Sequence, residues 1–290
     1  MPLLLVLFSG LLGSLFGLGY KYKTRFRCDH DRLIVFLSGS ATLFALACIP
    51  LFHEPLFDRE ALLLGLPFGV ASYISTLLYL IVIERAQLNV SWTVIQFFVV
   101  IPFLISVIGY GERLDLVSIL GIVLIFASIV LFGQRRRGSH EGAIKDRRLL
   151  VMLLLSTLFS GIGNSIPKIY TASVSQSNPF ALLFWANLWY LASALAVAGF
   201  KGRLGKLRPT GATLAIGSWM GVTSVIGMAA LTVALRSLGG AVAFPIRSVV
   251  NIIAVFLLSF ALFRERVTVI ESVGAATALA GVVLVSSSVS

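Results

Sequence analysis

The sequence predicts an all-α membrane protein in which ten transmembrane helices form two inverted five-helix repeats, and three observations predict it. First, ten apolar runs long enough to span a bilayer fill the chain, at about 2–20, 33–52, 61–83, 88–109, 115–133, 149–170, 179–200, 211–235, 240–263 and 268–286. Second, eighteen of the 23 lysines and arginines lie in the gaps after helices 1, 3, 5, 7 and 9, against three in the gaps after helices 2, 4, 6 and 8. By the positive-inside rule the first set of gaps is cytoplasmic and both termini lie outside the cell membrane. Third, short motifs recur between the halves: Gly65-x-x-x-Gly69 returns as Gly217-x-x-x-Gly221, and Gly111-Glu112-Arg113 with Gly121 returns as Arg264-Glu265-Arg266 with Gly274. An odd number of helices per half inserts the second copy upside down. The expected organisation is a first repeat over 1–133, a basic cytoplasmic linker over 134–148 and a second repeat over 149–290.

Composition excludes the main soluble classes. With 58% hydrophobic and 12% charged residues and a mean hydropathy of +0.99, the chain is too apolar for a soluble core. The net charge of +11 would suggest nucleic acid in a soluble protein. Here the basic residues sit in short gaps between apolar runs, so a bilayer is the expected partner and nucleic acid is not.

Helix 1 starts without preceding basic residues and has five after it, the reverse of a signal peptide, so it is expected to be retained. Cys28 and Cys48 bracket helix 2, about 30 Å apart along a helix, and are expected to be free thiols. Helix 3 carries Gly65, Gly69 and Tyr73; helix 4 carries Trp92, Gln96 and Pro102. Helix 5 begins after Gly111-Glu112-Arg113 and contains Gly121. Helix 6 carries Asn164, Pro167 and Lys168; helix 7 carries Trp185, Asn187, Trp189 and Tyr190. Helix 8 holds the second glycine pair and Thr223, and helix 10 follows Arg264-Glu265-Arg266. Spaced small residues, Gly13 and Gly17 of helix 1 included, let helix backbones approach closely in lipid. Such faces on helices 5 and 10 would permit a homodimer as readily as packing within the bundle.

Helix 9 is the exceptional element. Arg247 stands about seven residues past Gly239-Gly240, roughly 10 Å into the membrane, where an unpaired cation costs about 2.5–3.5 kcal/mol on insertion scales. Asn251 lies one turn further on the same face, and Pro245 removes a backbone N–H just before. Arg247 either snorkels or pairs with a loop carboxylate, or it marks a polar substrate site. Lys168, near the outer end of helix 6, reads as a snorkelling lysine or as a gate at the outer mouth.

The expected site is a ring near mid-membrane: Tyr73, Gln96, Trp189, Thr223 and Asn251 at the centres of their helices, with Asn164 and Arg247 toward the outer half. Trp92 and Trp185, one turn from Gln96 and Trp189, would wall it. Every acidic residue and every histidine lies in a gap or near a helix end, which argues against a buried proton relay. No His-Glu-x-x-His, no Gly-x-Ser-x-Gly and no paired intramembrane carboxylates occur, so no catalytic residue, metal or cofactor is expected.

Pro102, Gly111-Glu112-Arg113-Leu114 and Gly121-Ile122-Val123-Leu124-Ile125, echoed by Phe263-Arg264-Glu265-Arg266 and by Gly274 to Val283-Leu284-Val285, carry a resemblance. In these residues the chain resembles the drug/metabolite transporter superfamily, specifically its ten-helix EamA-type members. The resemblance implies a carrier that opens alternately to each side, with a central cavity built from helices 1, 3, 4, 6, 8 and 9. Gln96, Arg247 and Asn251 fall on those helices. Exporters of amino acids and other metabolites are common in the family. The chain departs from it in placing its termini outside and in lacking the membrane glutamate of the small multidrug branch. The expected function is a secondary carrier or facilitator for a small polar metabolite, anionic ones included, with Arg247 orienting a carboxylate or phosphate. The alternatives are a flippase for an anionic lipid-linked carrier and a non-transporting membrane scaffold.

Overall fold

The computed structural model describes residues 1–85, 94–134, 146–263 and 269–289. These residues fold into helices and short connections, with no strand among them. We number the helices α1 (Pro2–Arg25), α2 (His30–Leu51), α3 (Arg59–Arg85), α4 (Gln96–Gly109), α5 (Leu116–Gln134), α6 (Arg147–Ser173), α7 (Pro179–Phe200), α8 (Gly211–Ala234), α9 (Gly240–Phe263) and α10 (Val269–Val289). Six of them, α1, α2, α3, α6, α7 and α8, are long and apolar enough over the described residues to cross a membrane. The other four contain shorter apolar helical stretches.

Local chemistry explains the boundaries. Asp29 accepts from the Arg32 N–H at 3.1 Å and starts α2, Asp146 accepts from Arg148 at 2.8 Å and starts α6, and prolines open α1 and α7. Helix α1 runs five residues past its apolar stretch, because Lys23 and Arg25 suit the negative end of the helix dipole. Helix α4 is irregular: a 3₁₀ turn over Gln96–Val99, an α turn over Val100–Leu104 and a π turn over Ile105–Gly109. Pro102 interrupts its hydrogen-bond ladder, and the backbone adjusts on both sides.

Close packing is organised by glycines. Helix α3 lies on α7 and α6, α8 on α2 and α1, α1 also on α9, α6 also on α4, and α5 on α10. A Cβ on Gly65 would come within 2.7 Å of the Trp185 Cβ, and one on Gly69 would strike the Ala186 carbonyl oxygen. On α8, a Cβ on Gly217 would come 2.9 Å from the Phe36 Cβ, and one on Gly221 2.6 Å from the Leu37 carbonyl oxygen. The two Gly-x-x-x-Gly pairs therefore serve the α3–α7 and α8–α2 contacts. Gly121 and Gly281 face each other across α5 and α10, so these two glycines are used within the chain. Helices α3 and α6 are also pinned by a reciprocal pair: Ser75 Oγ donates to the Ser156 carbonyl at 2.9 Å, and Ser156 Oγ to the Ser75 carbonyl at 2.8 Å. Each such buried bond contributes about 1 kcal/mol.

The loops gather at two ends. At the acidic end, Glu54 Oε2 accepts from the Ala181 N–H at 2.8 Å, and Asp58 Oδ2 accepts from Tyr170 at 2.6 Å and Asn178 at 2.8 Å. At the basic end, Lys23, only 2% exposed, donates to Glu84 at 2.7 Å, and Arg203 pairs with Asp31 at 2.9 Å.

Candidate functional site: a central polar cavity

A cavity of about 190 Å³ lies at the centre of the bundle. It is lined by α1, α3, α4, α6, α7, α8 and α9, with Leu37 contributed by α2. Glycines admit the polar turn of α9 to it. A Cβ on Gly10 would sit 2.9 Å from the Arg247 carbonyl oxygen, and one on Gly13 would sit 2.9 Å from Asn251 Nδ2. Any larger residue at these two positions of α1 would push Arg247 and Asn251 out of place.

Arg247 lines the cavity, and its Nη1 donates to Asn164 Oδ1 at 2.9 Å. Asn164 is oriented in turn by its own Nδ2, which donates to the Ser160 carbonyl at 2.8 Å. Among the described residues no carboxylate pairs with Arg247, so the loop-carboxylate reading of this arginine gives way to a neutral amide partner. Its Nε has no hydrogen-bond partner there, and neither has Gln96 Oε1 or Asn251 Oδ1. Leaving a buried polar atom unpaired costs about 1–3 kcal/mol. Gln96, Arg247 and Asn251 thus line one cavity while each leaves a buried polar atom unpaired among the described residues, one donor and two acceptors in all.

The cavity brings together Gln96, Asn164, Arg247 and Asn251, with Thr223 as well. Three other expected residues lie off its wall. The Tyr73 ring packs edge-on against Tyr190, 6.2 Å between centroids. Trp185 donates from Nε1 to the Leu56 carbonyl at 3.0 Å and stands beside Phe57, closing the acidic end. Trp189 has its Cβ against Gly69 in the α3–α7 contact. Trp92 lies outside the described residues. In their place the wall carries Tyr20, Thr76, Tyr79, Asn187 and Tyr190. Tyr20 escapes a hydropathy reading because the apolar run ends there, although the helix continues to Arg25 and carries the ring inside the bundle.

Lys168 is paired. It forms an ion pair with Glu112 and lies 5.3 Å from the centre of the Tyr110 ring. Glu112 also accepts from the Gly240 N–H at 3.0 Å and the Ala241 N–H at 2.8 Å, so it caps α9 from the α4–α5 loop. Nearby, burial raises the Glu54 carboxyl above its ordinary range, in spite of the Ala181 and Phe180 N–H bonds, and Asp58 adds to the rise. Burial would raise Asp58 too, but hydrogen bonds from Tyr170, Ala61, Asn178 and Glu60 hold it below its ordinary value. The sign for Asp58 follows: its contribution to stability is present above the ordinary carboxylate range and is lost as pH falls through the folded value.

No family model matches the chain, and no curated protein matches it. Among solved structures, a protein crystal structure superposes with a TM-score of 0.76 at 14% identity, covering 98% of this chain and 95% of the other. At that identity the likeness shows the fold alone. Fold and site together describe an all-helical protein with several helices apolar enough to span a membrane and a polar cavity at its centre.

Proposed function

We propose that the protein is a ten-span secondary carrier or facilitator for a small polar anion, built from two inverted five-helix repeats that open the central cavity alternately to the two sides. The observation that carries this reading is that Arg247, Gln96 and Asn251 line one cavity and that each has a buried polar atom without a partner among the described residues. An anion would take the guanidinium, and its own N–H or O–H groups would meet the amide oxygens.

The packing pattern supports the repeats. Adding five to each helix number turns the contacts of α1 with α8 and α9 into those of α6 with α3 and α4. The same shift turns α2–α8 into α7–α3 and leaves α2–α7 and α5–α10 unchanged. The two glycine pairs serve the α3–α7 and α8–α2 contacts, which the shift exchanges. The strong Lys and Arg bias supports an orientation with the basic end in the cytoplasm and both termini outside. The cavity volume of about 190 Å³ favours a small solute over a lipid headgroup with its carrier.

Reconstitution tests the reading. Proteoliposomes are expected to take up at least one small anion saturably from a panel of amino acids, organic acids and sugar phosphates, above protein-free vesicles. Scrambling of a fluorescent lipid phosphate without solute uptake would identify a flippase, and inactivity in both assays would leave a scaffold.

A further inference from the structure

The net charge of the cavity depends on what stands beside Arg247. Among the described residues that line it, Arg247 alone carries a charge. Its Nη1 donates to Asn164 Oδ1 at 2.9 Å, and Asn164 Nδ2 donates in turn to the Ser160 carbonyl at 2.8 Å. Buried cations are ordinarily matched by carboxylates, because an uncompensated charge in a medium of low dielectric is costly. The chain follows that rule elsewhere: Lys23 pairs with Glu84, and Lys168 with Glu112. At position 164 it places an amide instead, close in shape to an aspartate but without its charge. The cavity therefore keeps one positive charge that its described wall does not cancel.

That charge selects among solutes. A singly charged anion brings the cavity to neutrality. A dianion would bury a second negative charge for which the described wall offers no cation, and Lys168, one turn beyond Asn164 on α6, is already neutralised by Glu112. A neutral solute would leave the guanidinium uncompensated and gain only the weaker, uncharged kind of hydrogen bond. We infer that Asn164 is the specificity-determining residue of the site: by meeting Arg247 as a neutral amide it tunes the cavity to solutes of a single net negative charge, and a carboxylate at the same position would cancel that preference. The inference rests on the carrier reading and adds to it the charge of the solute and the residue that sets it.

Labelled uptake into proteoliposomes tests it, with pyruvate, gluconate and glutamate as singly charged anions, succinate and malate as dianions, and serine and glucose as net neutral solutes. The unmodified protein is expected to take up at least one of the singly charged anions, and the dianions to compete roughly ten-fold more weakly or worse. Asn164→Asp changes the charge with almost no change of shape, and is expected to lower that uptake by about a hundred-fold, the effect of a like charge beside the bound anion. Asn164→Ala removes the bond to Arg247 but leaves the charge of the cavity, so uptake is expected to weaken while the preference for singly charged anions over dianions stays. If Asn164 only positioned Arg247, the two variants would lose uptake alike, and that result would overturn the inference. Equal use of singly and doubly charged anions by the unmodified protein would overturn it too, as would undiminished uptake by folded Asn164→Asp. If Asn164→Asp does not fold, Ser160→Asp takes its place, since Ser160 lines the cavity one turn earlier on α6. The same loss is expected there, and retained anion uptake overturns the inference. Failure of the carrier reading has a different appearance: no solute of the panel enters with the unmodified protein, which overturns both, whereas uptake indifferent to charge overturns this inference alone.

Discussion

Arg247→Ala is expected to lower solute uptake by roughly ten- to a hundred-fold, the loss of a charge-assisted bond of about 1.5–3 kcal/mol, while the purified protein keeps its fold. The second half of that result is as diagnostic as the first. Among the described residues the guanidinium has one hydrogen bond, to a neutral amide, and its Nε has no partner. A cation held in that way stabilises little, and insertion scales charge about 2.5–3.5 kcal/mol for one near the middle of a helix. Its removal should therefore leave Tm unchanged or raise it. A structural arginine behaves in the opposite way, since loss of a fully bonded guanidinium leaves its partners stranded and lowers Tm. Arg247→Lys is expected to retain part of the uptake, because it keeps the charge but loses the planar fork.

Gly69→Ala and Gly221→Ala are expected to lower stability by about 1–3 kcal/mol each, or to prevent assembly of the bundle, from the addition of one methyl group. At Gly69 the new Cβ would overlap the Ala186 carbonyl oxygen and come within 2.8 Å of the Tyr190 N. At Gly221 it would come 2.6 Å from the Leu37 carbonyl oxygen. Backbone atoms cannot swing aside as a flexible side chain can, so α7 would have to move off α3, or α2 off α8. Gly39, inside α2 with nothing within 4 Å of its Cβ position, is the control. There alanine should raise stability by about 0.5–1 kcal/mol, the ordinary cost of a glycine in a helix. Thermal unfolding of the three purified variants measures the contrast; equal behaviour at all three positions would show that the glycine contacts do not hold the bundle together.

The helices were legible because apolar runs of this length have few other uses, and the polar residues that line the cavity stood out because polar groups inside such runs are costly. Depth along a helix selected Gln96, Asn164, Arg247 and Asn251, and the structure gathers them on one cavity. Depth does not give rotation about the helix axis. Trp185 and Trp189 sit at suitable heights on α7, yet they project toward Gly65 and Gly69 of α3, while Ala186, Asn187 and Tyr190 of the same helix face the cavity. Hydropathy also stops at the first basic residue, so α1 was read as ending at Tyr20 and the inward position of that ring was hidden. The partner of Lys168 was illegible for another reason: Glu112 belongs to a loop between different helices, and only the packing of α4, α6 and α9 brings the two together.

The most direct test of the central claim, that the cavity binds a small anion through Arg247, is ligand-dependent thermal stability of the unmodified protein beside Arg247→Ala. The panel spans amino acids, organic acids, sugars, nucleosides, sugar phosphates and lipid phosphates. A ligand at a hundred times its dissociation constant stabilises the native state by about 2.7 kcal/mol, which a melting curve resolves. The expected result is a saturable rise with one class of small anion that disappears in Arg247→Ala. A rise of equal size in both proteins, or one confined to uncharged solutes or lipid phosphates, would contradict the claim.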